Sequence, residues 1–143
     1  TKQSVADPYA NEPKRHPHLK VLTEKPFNAE TPKKQSTDSL NTPNDLFFVR
    51  NHLPVPQIDV NKFRLEIVAD TTGKNVSLSM DELKSAKLPV HTIPVSIQCS
   101  GNKRRFMHEI EPVQGLMWDV NAISNAEWTG VMLKDLFNHL GNH

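Results

Sequence analysis

Apolar residues along this chain fall into short alternating runs and one helical stripe, separated by polar, proline-containing stretches. Phe63, Leu65 and Ile67 alternate with Lys62, Arg64 and Glu66, the period of a strand with one buried face. A turn follows at Thr71–Asn75, and Val76, Leu78 and Met80 alternate again, so residues 62–80 predict a hairpin. Asp81 or Ser79 is placed to cap a short helix through Ala86, which Pro89 forbids from extending. Val95 and Ile97, alternating with Ser96 and Gln98, predict a short strand that delivers Cys99. Gly101-Asn102 breaks it, since both residues tolerate the positive φ of a sharp turn. The compact run Leu46–Val49 predicts another strand, which enters a rigid loop at Pro54 and Pro56. Val113–Asp119, with Gly115 and Trp118, reads as a turn and strand. Leu133, Leu136, Phe137 and Leu140 fall at i, i+3, i+4 and i+7 and predict a packed helix over 131–140, stopped by Gly141.

Between these runs the chain is irregular. Residues 1–25 are polar and contain Pro8, Pro13 and Pro17, which predicts an extended arm or linker lying on a neighbouring surface. Residues 26–45 show no periodicity. Short strands mixed with helices make the fold class α+β and β-rich, with residues 26–143 forming one domain portion. At 16.2 kDa the chain is long enough for one modest core and not for two.

Charge and composition narrow the function. A net charge of +1 argues against a general nucleic-acid binder. No run of 18 apolar residues exists, so no membrane span is expected. The first residues show neither a signal core nor an arginine-rich transit pattern, so any targeting segment is expected outside this sequence. With one cysteine, Cys99, no intramolecular disulfide can form and a zinc site of paired cysteines is excluded. His16 and His18 form the one close histidine pair and read as solvent-exposed. Cysteine-protease chemistry would need a partnered histidine, and His52 or His108 sits in no such motif.

The candidate chemistry lies at Ser96–Arg105, where Cys99 precedes Lys103, Arg104 and Arg105. Thiolate is the form that attacks electrophiles or binds soft metals, and neighbouring cations favour an anionic ligand. Read from the residues alone, Cys99 is equally a small buried hydrophobe, Arg50 a surface cation at a strand end, and Trp118 a core tryptophan.

C-S-G-N-K-R at Cys99–Arg104 resembles the cysteine loop of the sulfite oxidase family, whose usual form is C-A-G-N-R-R. P-F-N-A-E at Pro26–Glu30, T-P-N at Thr42–Asn44, F-F-V-R-N-H-L-P-V-P at Phe47–Pro56, G-L-M-W at Gly115–Trp118 and A-I-S-N-A-E-W-T-G-V at Ala122–Val131 follow the family's order at similar spacing. The resemblance covers nearly the whole chain from about Asp7 and implies the N-terminal part of a molybdopterin-binding oxidoreductase domain. It implies Cys99 as the molybdenum ligand, Arg50 and Arg104 as substrate-oxyanion arginines, and Trp118 at the substrate pocket. Phe48, Val49, Arg50, Asn51 and His52, with Cys99, are the implied contacts to the molybdenum–molybdopterin cofactor.

The implied reaction is oxidation of sulfite to sulfate, with electrons passed to a haem protein, such as a cytochrome c-type acceptor, or to oxygen. A homodimer formed outside this chain and a haem in a separate domain are implied as well. So is a compartment: the mitochondrial intermembrane space if animal-like, the peroxisome if plant-like. Further cofactor ligands, another substrate arginine and a catalytic tyrosine are expected beyond His143, so residues 1–143 alone are not expected to complete the site. Lys103 stands where the family has arginine, keeping the charge and losing the planar fork. Ser100 replaces alanine. The alternative within the family is assimilatory nitrate reductase, whose stretch reads R-N-H-G-A-V-P; Leu53-Pro54 favours sulfite oxidase. The alternative of another class is a catalytically silent fragment or interaction module.

Overall fold

The computed structural model describes residues 6–68, 75–84 and 88–141, with the backbone alone at 140 and 141. Its architecture is α+β: small sheets and short helices, with the described residues dividing into two compact units. The first comprises residues 1–56 and 94–127, the second residues 57–93 and 128–143.

The first unit is built on a three-stranded antiparallel sheet of β1 (Lys20–Glu24), β2 (Phe27–Glu30) and β3 (Val49–Arg50), in that order. Strand β2 is buried along its whole length and has two different faces. Phe27 and Ala29 join Leu19 and Val49 in an apolar cluster, while Asn28 and Glu30 are buried polar residues. Four residues with both faces buried offer too short an alternation to register as a strand, which is why residues 26–45 read as irregular. Strand β1 falls inside the stretch read as an arm; Leu19, just before it, is core.

The expected strand at 46–49 is corrected. Asn44–Leu46 form a 3-10 turn closed by Leu46 N–H to the Pro43 carbonyl at 3.0 Å, with Leu46 buried, and Val49–Arg50 alone pair as β3. Pro43, with φ fixed near that of a helix start, favours the turn over a continuous strand. A one-turn helix α1 (Gln35–Asp38) lies between β2 and that turn.

In the second unit, β4 (Arg64–Val68) and β5 (Asn75–Ser79) pair in register, Leu65 with Leu78 and Ile67 with Val76, as the alternation predicted. The turn between them lies mostly outside the described residues. Helix α2 (Met80–Lys84) begins with a reciprocal cap: Glu82 N–H donates to Ser79 Oγ and Ser79 N–H to Glu82 Oε2. Ser79, and not Asp81, is therefore the cap; the expected continuation to Ala86 lies outside the described residues.

Two nine-residue strands, β6 (Val90–Gln98) and β7 (Ile123–Val131), pair with each other. Thr92 meets Thr129 and Ser96 meets Asn125 through side-chain hydrogen bonds, an antiparallel register. Strand β7 was legible only as a matched motif, because Ser124 and Ala126 face inward where apolar alternation would be sought. Helix α3 (Arg104–Ile110) follows the cysteine loop, and α4 (Leu133–Gly141) realises the predicted helix, burying Leu136 while Leu133 and Phe137 stay exposed. The strand expected within Val113–Asp119 is absent: these residues are irregular, with Gly115 at φ +114°.

Candidate functional site

Strand β6 ends at Gln98, and the chain turns at once. Cys99 N–H donates to the Ala122 carbonyl at 2.9 Å and Asn102 Oδ1 accepts from Ala122 N–H at 3.1 Å, so the loop is fastened to the segment before β7. Asn102 N–H closes the turn on the Cys99 carbonyl at 2.9 Å. The left-handed residue is Lys103, at φ 66°, and not Gly101 or Asn102 as the turn chemistry suggested. Its strain is held from outside: Lys103 N–H donates to the Asp119 carbonyl at 2.6 Å and Arg105 N–H to the Trp118 carbonyl at 3.1 Å. Gly101 is required for space instead. A Cβ there would stand 2.7 Å from Trp118 Cδ1 and 3.0 Å from both terminal nitrogens of Arg104.

Arg104 is wedged. Its guanidinium donates to the Leu116 carbonyl at 3.1 Å and passes so near Gly115 that a Cβ on that residue would lie 2.6 Å from Nη1. Gly115 also has a φ that L side chains rarely adopt. Two glycines and one carbonyl thus set the direction of this cation. Trp118, 1% exposed, closes the wedge from behind.

Arg50 is held differently. At the end of β3 it is exposed, and it donates to the Asn51 carbonyl at 2.6 Å and to the His52 ring at 2.7 Å. A third, longer contact reaches Asn28 Oδ1 at 3.5 Å. Asn28 Oδ1 also accepts from Asn51 N–H at 2.9 Å, so the buried amide fixes the backbone that carries Arg50.

These elements meet in a pocket of about 420 Å³ lined by Arg50, Asn51 and His52 from β3 and the loop after it and by Arg104, Gly115, Leu116 and Trp118. Thr23, Pro26 and Asn28 complete the lining from β1–β2. Five residues singled out in the sequence are therefore brought together: Arg50, Asn51, His52, Arg104 and Trp118. Three are not. Cys99 is half-buried in its loop, with Gly101 N–H pointing at Sγ from 3.4 Å, and does not line the pocket. The Val49 side chain packs into the apolar cluster, and Phe48 stacks on Phe47 while its N–H donates to Ser124 Oγ. Asn28, Thr23 and Leu116 were missed; Asn28 lay within the quoted P-F-N-A-E segment, whose length gave no structural signal.

A charge cluster adjoins the cysteine loop through Asp119, whose carbonyl holds Lys103. Lys20 bridges buried Glu30 and Asp119, each at 3.0 Å, and Lys33 reaches Asp119 at 3.3 Å. Glu30 accepts the Asp119 N–H. The hydrogen bond from Lys20 holds the Asp119 carboxyl below the usual carboxylate range, against the opposing effect of desolvation, with Lys33 adding to it. For Lys20 desolvation pulls downward, and the bonds to Asp119 and Glu30 outweigh it and leave the ammonium raised.

The donors present suit an anionic, heteroatom-rich group bound beside a soft metal. Two guanidiniums converge on one pocket, a free thiol stands in the adjoining loop, and Asn51 Nδ2 is buried with no hydrogen-bond partner among the described residues. An orphaned buried donor at a pocket wall is satisfied when a ligand acceptor arrives. Among the described residues, no group of three or more His, Cys, Asp or Glu could hold a metal by itself.

Comparison with known proteins agrees with this chemistry. Residues 52–143 match the oxidoreductase molybdopterin binding domain. The chain is 45% identical, over 96% of its length, to the mitochondrial sulfite oxidase of Rattus norvegicus, and 47% identical over 94% to the sulfite oxidase of Gallus gallus. It spans 25% and 29% of those proteins, respectively. A nitrate reductase [NADH] of Ulva prolifera is 36% identical over 89% of the chain, which covers 15% of that protein. Among solved structures, the sulfane dehydrogenase SoxCD from Paracoccus pantotrophus aligns with 96% of this chain and 36% of its own, at a TM-score of 0.63 and 21% identity, a likeness of fold.

Proposed function

This chain belongs to the oxidoreductase molybdopterin-binding domain family, and from that premise we propose that it contributes the metal thiolate and an anion pocket to an enzyme that oxidises sulfite to sulfate. One observation carries the reading: Arg50 and Arg104, far apart in sequence, line the same pocket as Trp118, and Trp118 and Arg104 both lie against Gly101 of the Cys99 loop. Cys99 Sγ would be the protein's ligand to molybdenum, and Asn51 Nδ2, His52 and the backbone at Phe48–Val49 would face the pterin. When bound, the molybdenum–molybdopterin group supplies two-electron redox and oxygen-transfer chemistry.

The chain's own residues do the binding. Sulfite is a small oxyanion, and guanidinium forks pair with such anions through parallel, charge-assisted hydrogen bonds. Arg104 offers a fixed fork; Arg50 offers one that exchanges its present contacts with Asn51 and His52 for the ligand. Trp118 excludes water from the back of the pocket, which strengthens both contacts. Lys103 donates its backbone N–H to the loop's anchor while its side chain is exposed, so the lysine-for-arginine change leaves the wedge intact.

Leu53-Pro54, with the likeness to sulfite oxidases, favours sulfite over nitrate as the substrate. A cytochrome c-type protein or oxygen as electron acceptor, a homodimer, a haem in a further domain, and a mitochondrial or peroxisomal compartment belong to the same proposal, as does the division into an arm at 1–25 and a domain portion from 26. The test is direct. Molybdenum per protein, sulfite-dependent reduction of cytochrome c and nitrate-dependent oxidation of a reduced dye are measured on the complete holoenzyme. Sulfite turnover with bound molybdenum is expected; nitrate turnover without sulfite turnover would replace this reading by the nitrate reductase one.

A further inference from the structure

The three strands of the first sheet place Thr23, Asn28 and Arg50 in one row, since Thr23 pairs with Asn28 and Asn28 with Arg50. Cross-strand partners in register point to the same face of a sheet. The central member is the unusual one. Asn28 is an amide with 1% exposure, and a buried amide is tolerated when its hydrogen bonds are made. Asn28 makes them in both directions. Nδ2 donates to Thr23 Oγ1 at 2.9 Å and to the Pro26 carbonyl at 3.0 Å. Oδ1 accepts from Asn51 N–H at 2.9 Å and from Arg50 Nη1 at 3.5 Å.

The bonds on Nδ2 orient the amide, so that Oδ1 and not the amino group faces β3. Were the amide reversed, two donors would oppose the Asn51 N–H and the Arg50 guanidinium, while the Pro26 carbonyl would face an oxygen. Thr23 continues the chain, because its hydroxyl donates to the Pro26 carbonyl at 2.7 Å and so presents its lone pair to Asn28. The result is a relay from the β1–β2 turn through a buried amide to an exposed cation: Pro26 carbonyl, Asn28 amide, Arg50 guanidinium.

We propose that Asn28 is a positioning residue that aims Arg50 into the pocket, acting through Oδ1 on the Arg50–Asn51 backbone and side chain and not by touching the substrate. Arg50 is exposed and has no wedge like that of Arg104; its bonds to the Asn51 carbonyl and His52 ring belong to its own loop, and Asn28 is the residue of the sheet that holds both its guanidinium and the Asn51 N–H beside it. This inference rests on the reading of Arg50 as an oxyanion contact, and the experiment separates the two.

In the complete holoenzyme, Asn28→Ala and Arg50→Gln are made singly and together. Molybdenum content, the sulfite KM and kcat, and calorimetric affinity for sulfate, an unreactive oxyanion, are measured on each. Arg50→Gln is expected to raise KM and weaken sulfate binding by about tenfold or more, the size of one hydrogen bond to a charged group. Asn28→Ala is expected to raise KM and weaken sulfate by about tenfold, with kcat and molybdenum content largely kept. In the Arg50→Gln background Asn28→Ala should add less than about twofold, the signature of two residues acting through one contact.

Full additivity of Asn28→Ala and Arg50→Gln would overturn the positioning role while leaving the oxyanion reading standing. No effect of Arg50→Gln itself on sulfate or sulfite would overturn that reading and this inference with it. If Asn28→Ala yields no soluble holoenzyme, Asn28→Ser, whose hydroxyl is too short to reach Asn51 N–H, enters the same cycle with the same expected outcomes.

Discussion

The two arginines of the pocket are the same residue doing the same proposed task, yet they are held in opposite ways. Arg104 is set by shape: two glycines leave a slot that the guanidinium fills, and the Leu116 carbonyl fixes its rotation. Arg50 is set by hydrogen bonds alone, to a carbonyl, an imidazole and a buried amide, on an exposed strand end. A slot built of backbone cannot adapt, so it offers preorganised charge whose reorganisation cost is met on folding. A hydrogen-bonded cation can exchange partners as a ligand enters. The pocket therefore combines one rigid wall with one adjustable wall, and each substitution below acts on one wall at a time.

The sharpest break is at the rigid wall. Gly115→Ala places a Cβ within 2.6 Å of Arg104 Nη1 in a backbone conformation that alanine resists. Displacing the fork by an ångström is expected to lower sulfite kcat/KM by about a hundredfold. Steady-state kinetics with molybdenum content held equal checks this; a loss below about fivefold would show that the slot does not set Arg104.

The next comparison replaces each arginine by lysine. At Arg104 the change removes both the planar fork and the bond to the Leu116 carbonyl, and about a thirtyfold loss in kcat/KM is expected. At Arg50 a flexible ammonium still reaches an entering anion, and about a fivefold loss is expected. Equal losses would mean that the two walls do not differ in rigidity.

A smaller effect concerns the support of the rigid wall. Asp119 carries the carbonyl that anchors Lys103, and its carboxylate is held by Lys20 and Lys33. Its folded pKa lies below the ordinary 3.8, so its stabilising contribution is complete above that value and is lost as pH falls through the lowered one. Lys20 is raised above 10.5, so its part is complete below that value and is lost as pH climbs through the raised one. Stability from this cluster should be flat between those limits. Asp119→Asn is expected to cost about 1 kcal/mol at neutral pH, since the lysine partners are well exposed and screened, and to flatten the acid limb. Thermal unfolding of both proteins across acid pH tests it; an unchanged acid limb would remove Asp119 from the cluster's stability.

Much of this was legible in the sequence, and the reasons are specific. The hairpin of β4 and β5 shows itself because one of its faces is apolar and the other polar, as with Leu65 and Glu66. The helix over 133–141 shows itself through the Leu133, Leu136, Phe137 spacing. Strand β2 hides because Asn28 and Glu30 are buried beside Phe27 and Ala29, so polarity no longer marks the outside. The run Leu46–Val49 has the apolarity of a strand without being one, because the turn at Pro43–Leu46 takes up its first residue. At the site, Arg50, Asn51, His52, Arg104 and Trp118 were named from motifs and the pocket collects them. What motifs could not give is how each is held: the wedge needs Gly101 and Gly115 in space, and the row needs the register of β2 with β3.

Both walls matter to the proposed chemistry only if Cys99 binds the metal beside this pocket. X-ray absorption at the molybdenum edge, on the complete holoenzyme and on its Cys99→Ser variant, tests it most directly. The variant is expected to keep molybdenum, to lose one sulfur neighbour from the metal's shell and no longer to oxidise sulfite, because a hydroxyl is a harder donor than a thiolate. An unchanged sulfur shell with substantial sulfite turnover would contradict it.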